Sequence, residues 1–531
     1  MNPPRPIRPE VVPAPDERVL ILDYGSQYTQ LIARRVRELG VYAEIHPGDW
    51  AGEQINAFAP RAVILSGGPA SVLEAGSLRI PEAVFTLGVP LLGICYGMQA
   101  LALQLGGAVE EGSPREYGSA EVEIGSASPL FDAIAVKPGD DFPRLSVWMS
   151  HGIRVKALPP GFRILAGNAS TPIAAMSDER RMWYGIQFHP EVRHTPLGVV
   201  ILKNFLEKIA KIKGQWRMDR FVDGACERLR EQVHTGRVLV ALSGGVDSAV
   251  LTALLARAIG DRLSPILVDT GLLRQGEVAG IRETFASFPF ELRVVDAQER
   301  FLDALSGVAD PEEKRRRIGR LFIDVFAEAA QTLTGIRYLA QGTIYPDVIE
   351  SAGLGGAAQV IKSHHNVGGL PERLPFELVE PLRLLFKDEV RALGRELGLP
   401  EHLIRRQPFP GPGLAVRVLG PVTAESVHLL RQADRIFLDE LETSGRESAT
   451  SQAFAVLLPV CSVAVKGDQR AYEPVVALRA VVTDDFMTAH AAKLPVDFLA
   501  RVANRITNEV PGLSRVVYDI TGKPPATIEW E

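Results

Sequence analysis

Apolar residues along the chain fall into two patterns, short continuous runs and longer stretches with helical spacing. The runs at 19–22, 62–65 and 237–242 have the length of buried parallel strands. The stretches at 27–39 and 249–259 place apolar residues three and four positions apart, as in amphipathic helices. Runs and stretches alternate on both sides of residue 213, which predicts two α/β domains, each with a mostly parallel sheet.

The last part of the chain follows a different pattern. A Pro/Gly-rich segment at 407–413 predicts a boundary. Beyond it, apolar runs are separated by helical stretches at about 423–443 and 495–509, which predicts a small α+β domain with one face left to cover. We expect that face to form a homodimer. The predicted divisions are a disordered leader at 1–16, α/β domains at 17–213 and 214–406, and the dimerisation domain at 407–531.

Composition indicates the class of protein and its compartment rather than a particular chemistry. The 531 residues are 46% hydrophobic and 23% charged, as in an ordinary globular protein. A net charge of −6 argues against a nucleic-acid partner, and no apolar run reaches the roughly 18 residues of a membrane span. The three cysteines are far apart, which fits a reducing compartment such as the cytoplasm. The first 16 residues contain six prolines and no apolar core of a signal peptide.

A glycine-rich turn between a strand and a helix is the first candidate site. Residues 243–248 read Ser-Gly-Gly-Val-Asp-Ser. Paired glycines let the backbone approach an anion, and a helix N-terminus offers unpaired N–H groups. The lysine of a Walker P-loop is missing, so we expect Mg²⁺ held by Asp247 to supply positive charge. A plain Gly-Gly turn is the alternative, but the position between strand and helix favours a nucleotide site.

The same loop resembles the SGGxDS loop of the ATP pyrophosphatases. These enzymes cleave ATP between its α and β phosphates and adenylate an acceptor oxygen. The resemblance implies ATP as co-substrate, with the end of the second strand of the domain next to the adenosine. The ATP-binding residues that it implies are Ser243, Gly244, Gly245, Val246, Asp247, Ser248, Ala249 and Val268.

A cysteine between two glycines is the second candidate site. Gly93, Cys95 and Gly97 have the spacing of a nucleophile elbow, in which a sharp strand-to-helix turn exposes the central side chain. The N-terminus of the following helix stabilises a thiolate there. A buried structural cysteine is the alternative interpretation, and the flanking glycines argue against it. His189 is the candidate base, and Glu191 is placed to orient its imidazole.

Three segments of the first domain, 67–69, 93–99 and 188–192, resemble the class I glutamine amidotransferases. The resemblance implies hydrolysis of glutamine to glutamate and ammonia by a triad of Cys95, His189 and Glu191. Backbone N–H groups near Gly68 and Tyr96 are expected to form the oxyanion hole. By the same resemblance, Gln99, Ser150 and His151 line the glutamine pocket. An acidic residue of the family pattern is replaced here by Ile153.

Two polar segments of the second domain have competing interpretations. The basic run at 314–317 lies in a helical stretch, where a solvated face is the usual explanation and a grip on a substrate phosphate is the alternative. The glycine-rich segment at 353–371 contains Lys362, His364 and His365, which suggests a mobile lid; a flexible surface loop is the alternative.

The C-terminal residues 523–531, the Pro/Gly hinge and the order of domains resemble the glutamine-hydrolysing GMP synthetases over 17–531. The resemblance implies that ATP adenylates xanthosine monophosphate (XMP) and that ammonia displaces AMP to give GMP. The XMP-binding residues that it implies are Arg315, Gln452, Lys523, Ile528 and Glu529. Three alternatives stay open: a glutamine-dependent NAD synthetase, a tRNA-modifying enzyme, and a nucleotide-sensing regulator that kept the fold.

Overall fold

The computed structural model describes residues 17–134, 143–352, 376–466, 468–483, 486 and 488–531. These residues form two compact units that divide between Phe221 and Val222. Both units contain sheets with parallel strands covered by helices, which confirms the predicted α/β class. The domain limits at 213/214 and 406/407 stay predictions. In the part of the chain that the structure describes, no helix is long and apolar enough to cross a membrane.

The amino-terminal unit (17–221) is built on a mixed sheet that, among its described residues, has nine strands in the order β2-β1-β3-β4-β9-β8-β7-β5-β6. Its strands are β1 Arg18–Asp23, β2 Tyr42–Pro47, β3 Ala62–Leu65, β4 Leu91–Ile94, β5 Ala108–Ile124, β6 Arg144–Ala157, β7 Arg163–Gly167, β8 Ala175–Asp178 and β9 Trp183–Ile186. Its helices are α1 Thr29–Glu38, α2 Gly52–Phe58, α3 Glu82–Thr86, α4 Tyr96–Gln104 and α5 Gly198–Lys203, with a π-helical turn at Asn204–Ile209.

The central strands of this sheet are covered on both faces, which is why β1, β3 and β4 are continuous apolar runs. The strands pair in parallel, with Ile21 of β1 opposite Ile64 of β3. The register of β4 and β9 places Ile94 opposite Ile186, and Cys95 N donates to Ile186 O. This pairing brings the residue after β4 next to the residues after β9, so two distant segments of sequence meet at one edge of the sheet.

Helix α6 Met218–Val233 spans the division, and the carboxyl-terminal unit (222–531) follows. Its first sheet is entirely parallel, in the order β12-β11-β10-β13-β14. The strands are β10 Arg237–Ala241, β11 Leu263–Asp269, β12 Arg293–Asp296, β13 Ile336–Ala340 and β14 Glu377–Val379. The helices are α7 Val246–Ile259, α8 Glu277–Phe285, α9 Gln298–Leu305, α10 Pro311–Gln331, α11 Tyr345–Ala352, α12 Lys387–Glu396 and α13 Glu401–Ile404.

The strand order of this sheet reverses at β10. The chain adds β11 and β12 on one side and then returns to place β13 on the other. Ligands of open parallel sheets bind at such a reversal, beyond the carboxyl ends of the strands. The loop at 243–248 follows β10 and therefore lies at this position.

A second sheet of the same unit is mostly antiparallel, with β18 pairing in parallel to β16, which agrees with the predicted α+β region. Its elements are α14 Ala424–Thr443, β15 Gln452–Lys466, β16 Gln469–Val482, β17 His490–Ala491, α15 Val496–Glu509 and β18 Arg515–Asp519. Both helices contact this layer, and one apolar core runs from Leu239 of the parallel sheet to Leu513.

Candidate active sites

Cys95 occupies a strained turn between β4 and α4. Its backbone has φ 51° and ψ −106°, a conformation that side-chain-bearing residues rarely adopt. The flanking glycines leave no room for a side chain: a Cβ on Gly93 would lie 2.7 Å from Gly97 C, and one on Gly97 would lie 2.5 Å from Leu65 O. The sequence needs small residues at both positions, because the helix turns back against the sheet immediately after the cysteine.

His189 lies against this cysteine and Glu191 lies against His189, and all three side chains are buried. His189 Nδ1 is 2.7 Å from Glu191 Oε1, and the ring also interacts with the Cys95 thiol. Burial on its own lowers the pKa of His189, but Glu191 and Cys95 outweigh it, and the pKa is raised well above its ordinary value. The raised pKa favours the protonated form of this imidazole, which lies next to the candidate nucleophile.

Further residues fix the positions of these groups. Gln187 Nε2 lies 3.6 Å from Cys95 Sγ, and Thr195 Oγ1 donates to His189 O at 2.6 Å. The ring of Tyr28 packs edge-on against the imidazole, with 5.2 Å between centroids. Sequence reasoning missed Gln187, because the pairing of β4 with β9 is what brings this buried residue next to Cys95.

The predicted glutamine-pocket residues surround the same sulfur. Gln99 Nε2 donates to Ile153 O at 2.7 Å and lies 3.2 Å from Gln187 Oε1, while Ser150 O lies 3.7 Å from Cys95 Sγ. Ile153, which stands where the family pattern has an acidic residue, therefore contributes a backbone carbonyl.

His151 is also buried, and its ring lies 3.5 Å from the Glu116 carboxylate. Burial lowers the pKa of His151, and Glu116 offsets only part of that effect. The lowered pKa favours the neutral imidazole, which can line a pocket without adding a positive charge to it.

Two backbone N–H groups are the predicted donors of an oxyanion hole. Tyr96 is the first residue of α4, so its N–H has no partner within the helix. Gly68 is packed closely, because a Cβ there would lie 2.5 Å from Tyr24 O. Its neighbour Gly67 lies directly over the pair: a Cβ on it would be 3.1 Å from His189 Cε1 and 3.6 Å from Cys95 Cβ.

The two serines of the loop after β10 fix its conformation by hydrogen bonds within the loop. Ser248 Oγ accepts from Ser243 N at 3.2 Å, lies 3.0 Å from Ser243 Oγ and donates to Gly245 O at 3.0 Å. Gly244 has φ +77°, and Gly245 caps α7. This geometry gives a preformed turn at a helix N-terminus, which is suited to a phosphate group.

Two cations from later in the chain face this loop. Lys387, the first residue of α12, has its Nζ 2.5 Å from Asp247 Oδ2, and Arg406 donates to the carbonyl oxygen of Gly244. Neither residue was predicted from the sequence. Both lie more than a hundred positions from the loop, and only the packing of α12 on α7 and the turn after α13 bring them there.

The second carboxylate oxygen of Asp247 is relevant to the Mg²⁺ ion that the sequence predicts. Its Oδ1 atom is buried and has no hydrogen-bond partner among the described residues. In the same part of the chain, no group of three or more His, Cys, Asp or Glu side chains is placed to hold a metal. A single free carboxylate oxygen fits a Mg²⁺ ion that takes its other ligands from phosphates and water.

The remaining predicted residues belong to the carboxyl-terminal part of the sequence. Val268 is buried in β11, the strand next to β10, while Lys362, His364 and His365 lie outside the described residues. Gln452 donates to Glu529 Oε1 at 2.6 Å, so the structure brings these two residues together.

Other predicted residues of the acceptor site have separate environments. Ile528 packs in a small apolar cluster with residues of β15 and β16, and Lys523 donates to Phe486 O at 2.8 Å. Arg315 is paired with Glu312 on the surface of α10. Its neighbour Lys314 is fully buried against Glu531 and the Val418 carbonyl, so this member of the basic run is not on a solvated face.

Comparisons with known proteins point to one family. A family model described as glutamine amidotransferase class-I matches residues 20–209, and one described as GMP synthase C terminal domain matches residues 439–530. The chain is 57% identical over 518 residues to the glutamine-hydrolysing GMP synthase of Thiobacillus denitrificans, covering 97% of this chain and 100% of that one. It is 57% identical over 521 residues to the enzyme of the same name from Methylococcus capsulatus, covering 97% and 99%.

Among solved structures, the chain resembles a glutamine amidotransferase from Thermotoga maritima. That likeness has 20% identity and a TM-score of 0.30, and covers 37% of this chain and 98% of the other. The identity with curated enzymes over nearly the whole chain decides among the alternatives that the sequence left open. The chain belongs to the glutamine-hydrolysing GMP synthase family.

Proposed function

We propose which residues of this chain carry out each step of the family's reaction, the synthesis of GMP with glutamine as nitrogen source. Cys95, His189 and Glu191 hydrolyse glutamine, and the loop at 243–249 binds ATP. The observation that carries this proposal is the buried Cys95–His189–Glu191 arrangement, with 2.7 Å between imidazole and carboxylate. Such an arrangement supplies a nucleophile, a proton carrier and a group that orients the carrier.

In the glutaminase step, the Cys95 thiolate attacks the carboxamide carbon of glutamine. The N–H groups of Gly68 and Tyr96 stabilise the negative charge on the oxygen. The His189 imidazolium gives its proton to the departing nitrogen, and ammonia leaves. Water, deprotonated by the imidazole, then cleaves the thioester to release glutamate. Gln99, Ser150 and His151 form the pocket that positions the substrate.

In the synthetase step, the C2 oxygen of XMP attacks the α phosphorus of ATP and pyrophosphate leaves. Ser243, Ser248 and the backbone of 244–249 hold the phosphates, and Val268 contacts the adenosine. Lys387 exchanges its contact with Asp247 for the negative charge of the phosphates, which replaces the lysine that a Walker loop carries within its motif. Mg²⁺ bound to Asp247 would neutralise phosphate charge.

Ammonia then attacks C2 of the adenylated XMP, the C2–O bond breaks, and AMP leaves with the oxygen. Gln452 and Glu529, which contact each other, form one side of the acceptor site. Arg315 and Lys523 are the candidate phosphate partners, and Ile528 is assigned to the same acceptor site. Lys362, His364 and His365 stay the predicted lid. ATP, glutamine and XMP are intracellular metabolites, which supports the cytoplasm as the place of action.

The hairpin of β15 and β16 supports the proposed homodimer. Val463, Val465 and Tyr472 lie on one face near its tip and are 55%, 72% and 71% exposed. An exposed apolar strand face of this kind is usually covered by a partner. Light scattering at micromolar concentration is expected to give a dimer, and Val463→Glu with Val465→Glu a monomer. A monomeric wild-type chain would exclude this surface as a stable interface.

The reaction is tested by product analysis with ATP, Mg²⁺, glutamine and XMP, omitting each in turn. We expect AMP, pyrophosphate and GMP to appear together and only when XMP is present. AMP released without XMP would point to another acceptor, and the assignment of the XMP residues would be wrong.

A further inference from the structure

A series of polar contacts begins at the phosphate loop. Arg406 donates to the Gly244 carbonyl and pairs with the Glu277 carboxylate. The other oxygen of that carboxylate accepts from Arg274 N at 3.0 Å. Arg274 follows β11 at the same edge of the sheet as the loop. The loop is therefore connected to Arg274 through two charged side chains, neither of which belongs to it.

The series continues from Arg274 to the proposed acceptor site. Arg274 Nε lies 3.1 Å from Asp434 Oδ2, and Asp434 Oδ1 lies 4.0 Å from Arg417 Nη1. Arg417 then holds Glu529 with two parallel bonds of 2.8 and 3.1 Å, and Glu529 accepts from Gln452. We call these six charged residues the polar network: Arg406, Glu277, Arg274, Asp434, Arg417 and Glu529.

The interior of the polar network is shielded from solvent and closely packed. Arg417, Asp434 and Glu277 have side chains that are 0%, 2% and 6% exposed. One aromatic ring, that of Phe409, lies among its three guanidinium groups, with Arg274 at 5.0 Å, Arg417 at 5.1 Å and Arg406 at 5.6 Å from the ring centre. Charges that are this poorly hydrated interact strongly, so a change at one member alters the balance at the next.

Arg274 is the member of the polar network that contacts both the loop side and the acceptor side. Its backbone N–H donates to Glu277 on the loop side, and its side chain forms an ion pair with Asp434 on the acceptor side. Burial lowers the pKa of Arg274 and outweighs Asp434, and the neighbouring Arg417 and Arg406 lower it further. The guanidinium is thus placed where a shift of Arg406 changes its electrostatic environment directly.

We propose that Arg274 is a positioning residue that couples the binding of ATP at the phosphate loop to the binding of XMP at Gln452 and Glu529. The proposal rests on the site assignments given above. A phosphate group at the loop competes with Gly244 and Glu277 for Arg406. When Arg406 shifts toward the phosphate, the positive charge beside Glu277 and Arg274 decreases. Arg274, Asp434 and Arg417 then readjust, and the position of the Glu529 carboxylate changes. The coupling is reciprocal, so XMP raises the affinity for ATP by the same factor.

The test is calorimetric binding of XMP to the full-length chain, with and without saturating α,β-methylene ATP and Mg²⁺. The methylene group prevents the cleavage that would consume the nucleotide. In the wild-type chain we expect the analogue to tighten XMP binding at least about fivefold. In Arg274→Gln that ratio is expected to fall to within about twofold of one. Arg435→Gln is the matched control, because Arg435 lies beside Asp434 but pairs with Asp439 in solvent.

A merely structural role of Arg274 would weaken both XMP affinities and leave their ratio unchanged, and that result would overturn the proposal. A wild-type ratio of one would overturn it as well. If Arg274→Gln does not fold, Arg274→Lys decides, because it keeps the charge but not the guanidinium geometry, and its ratio must fall at least about twofold.

Glu529→Gln separates this coupling from the site assignment on which it rests. If that variant binds XMP as well as the wild type, the assigned acceptor site is wrong and the coupling proposal is overturned with it. If it weakens XMP binding while Arg274→Gln keeps the wild-type ratio, the coupling alone is overturned.

Discussion

The two candidate active sites differ in where their charged groups find partners. Around Cys95, the charges face each other: His189 lies against Glu191 and the thiol, and all three are shut away from solvent. Around Asp247, the charges are supplied from outside the loop, by Lys387 and Arg406. The first site is complete without its substrate, whereas the second is held by contacts that a charged substrate can replace.

This difference reflects what each substrate brings. Glutamine's reacting amide is neutral, so charge appears only during the reaction and the protein must hold its own pair ready. ATP arrives with several negative charges and requires cations near its phosphates. Asp247 and Glu277 pair with the two cations at the candidate ATP loop, and we expect the phosphates of ATP to replace these carboxylates.

The largest expected effect separates the two sites completely. Cys95→Ala removes the nucleophile, and we expect glutamine-dependent GMP formation to fall by about 10⁵-fold or more. Formation with added ammonium should persist, because the synthetase residues are untouched. Cys461→Ser, at an exposed cysteine, is the control and should keep both activities. If ammonium does not rescue Cys95→Ala, the two sites are not chemically independent.

The second effect tests the internal charge pair. Glu191→Gln removes the carboxylate that raises the pKa of His189, and we expect glutamine hydrolysis to fall about 10³-fold. The folded-state pKa of His189 lies above its unfolded value, so the stabilisation by the pair is full below about pH 6.5 and is lost as the pH rises through the folded pKa. The difference in Tm between wild type and variant should therefore be larger at pH 6 than at pH 9. A pH-independent difference would contradict this assignment.

The third effect tests the exchangeable cation. Lys387→Ala leaves Asp247 without its partner and the phosphates without a donor, so GMP formation should fall about 100-fold. Ammonium should not rescue it, in contrast to Cys95→Ala. Lys387→Arg keeps the charge and is expected to lose much less activity. Full activity of Lys387→Ala with either nitrogen source would show that the lysine has only a structural role.

The smallest effect concerns the preformed shape of the loop. Ser248→Ala removes the hydroxyl that joins Ser243 to Gly245, and we expect the KM for ATP to rise about tenfold. Glutamine hydrolysis measured alone should not change. Ser444→Ala is the control, because that hydroxyl bonds only to its own helix. An unchanged KM for ATP in Ser248→Ala would mean that the ligand itself orders the loop.

Local patterns predicted the parts of these sites that are local in sequence. The turns at 93–97 and 243–248 are each fixed by adjacent glycines, a strand and a helix, so a short window contains the physical reason for them. Gln187, Lys387 and Arg406 could not be found in this way, because their roles depend on which strands and helices become neighbours.

The fold shows the same limit. The buried parallel strands were predictable as apolar runs, but the long antiparallel pair of β5 and β6 was not. Its polar and apolar residues alternate around glycines and one proline, which resemble loop sequence. Lys314 shows the converse case: a lysine in a basic run is fully buried because Glu531 and a carbonyl satisfy it, and no window of a few residues contains those partners.

The bidentate contact of Arg417 with Glu529 has a consequence during protein synthesis. The ribosome makes residue 529 long after residue 221, where the amino-terminal unit ends. At about 5–20 residues per second, the delay is on the order of half a minute. A glutaminase unit that folds in this interval emerges before any acceptor site exists to use its ammonia.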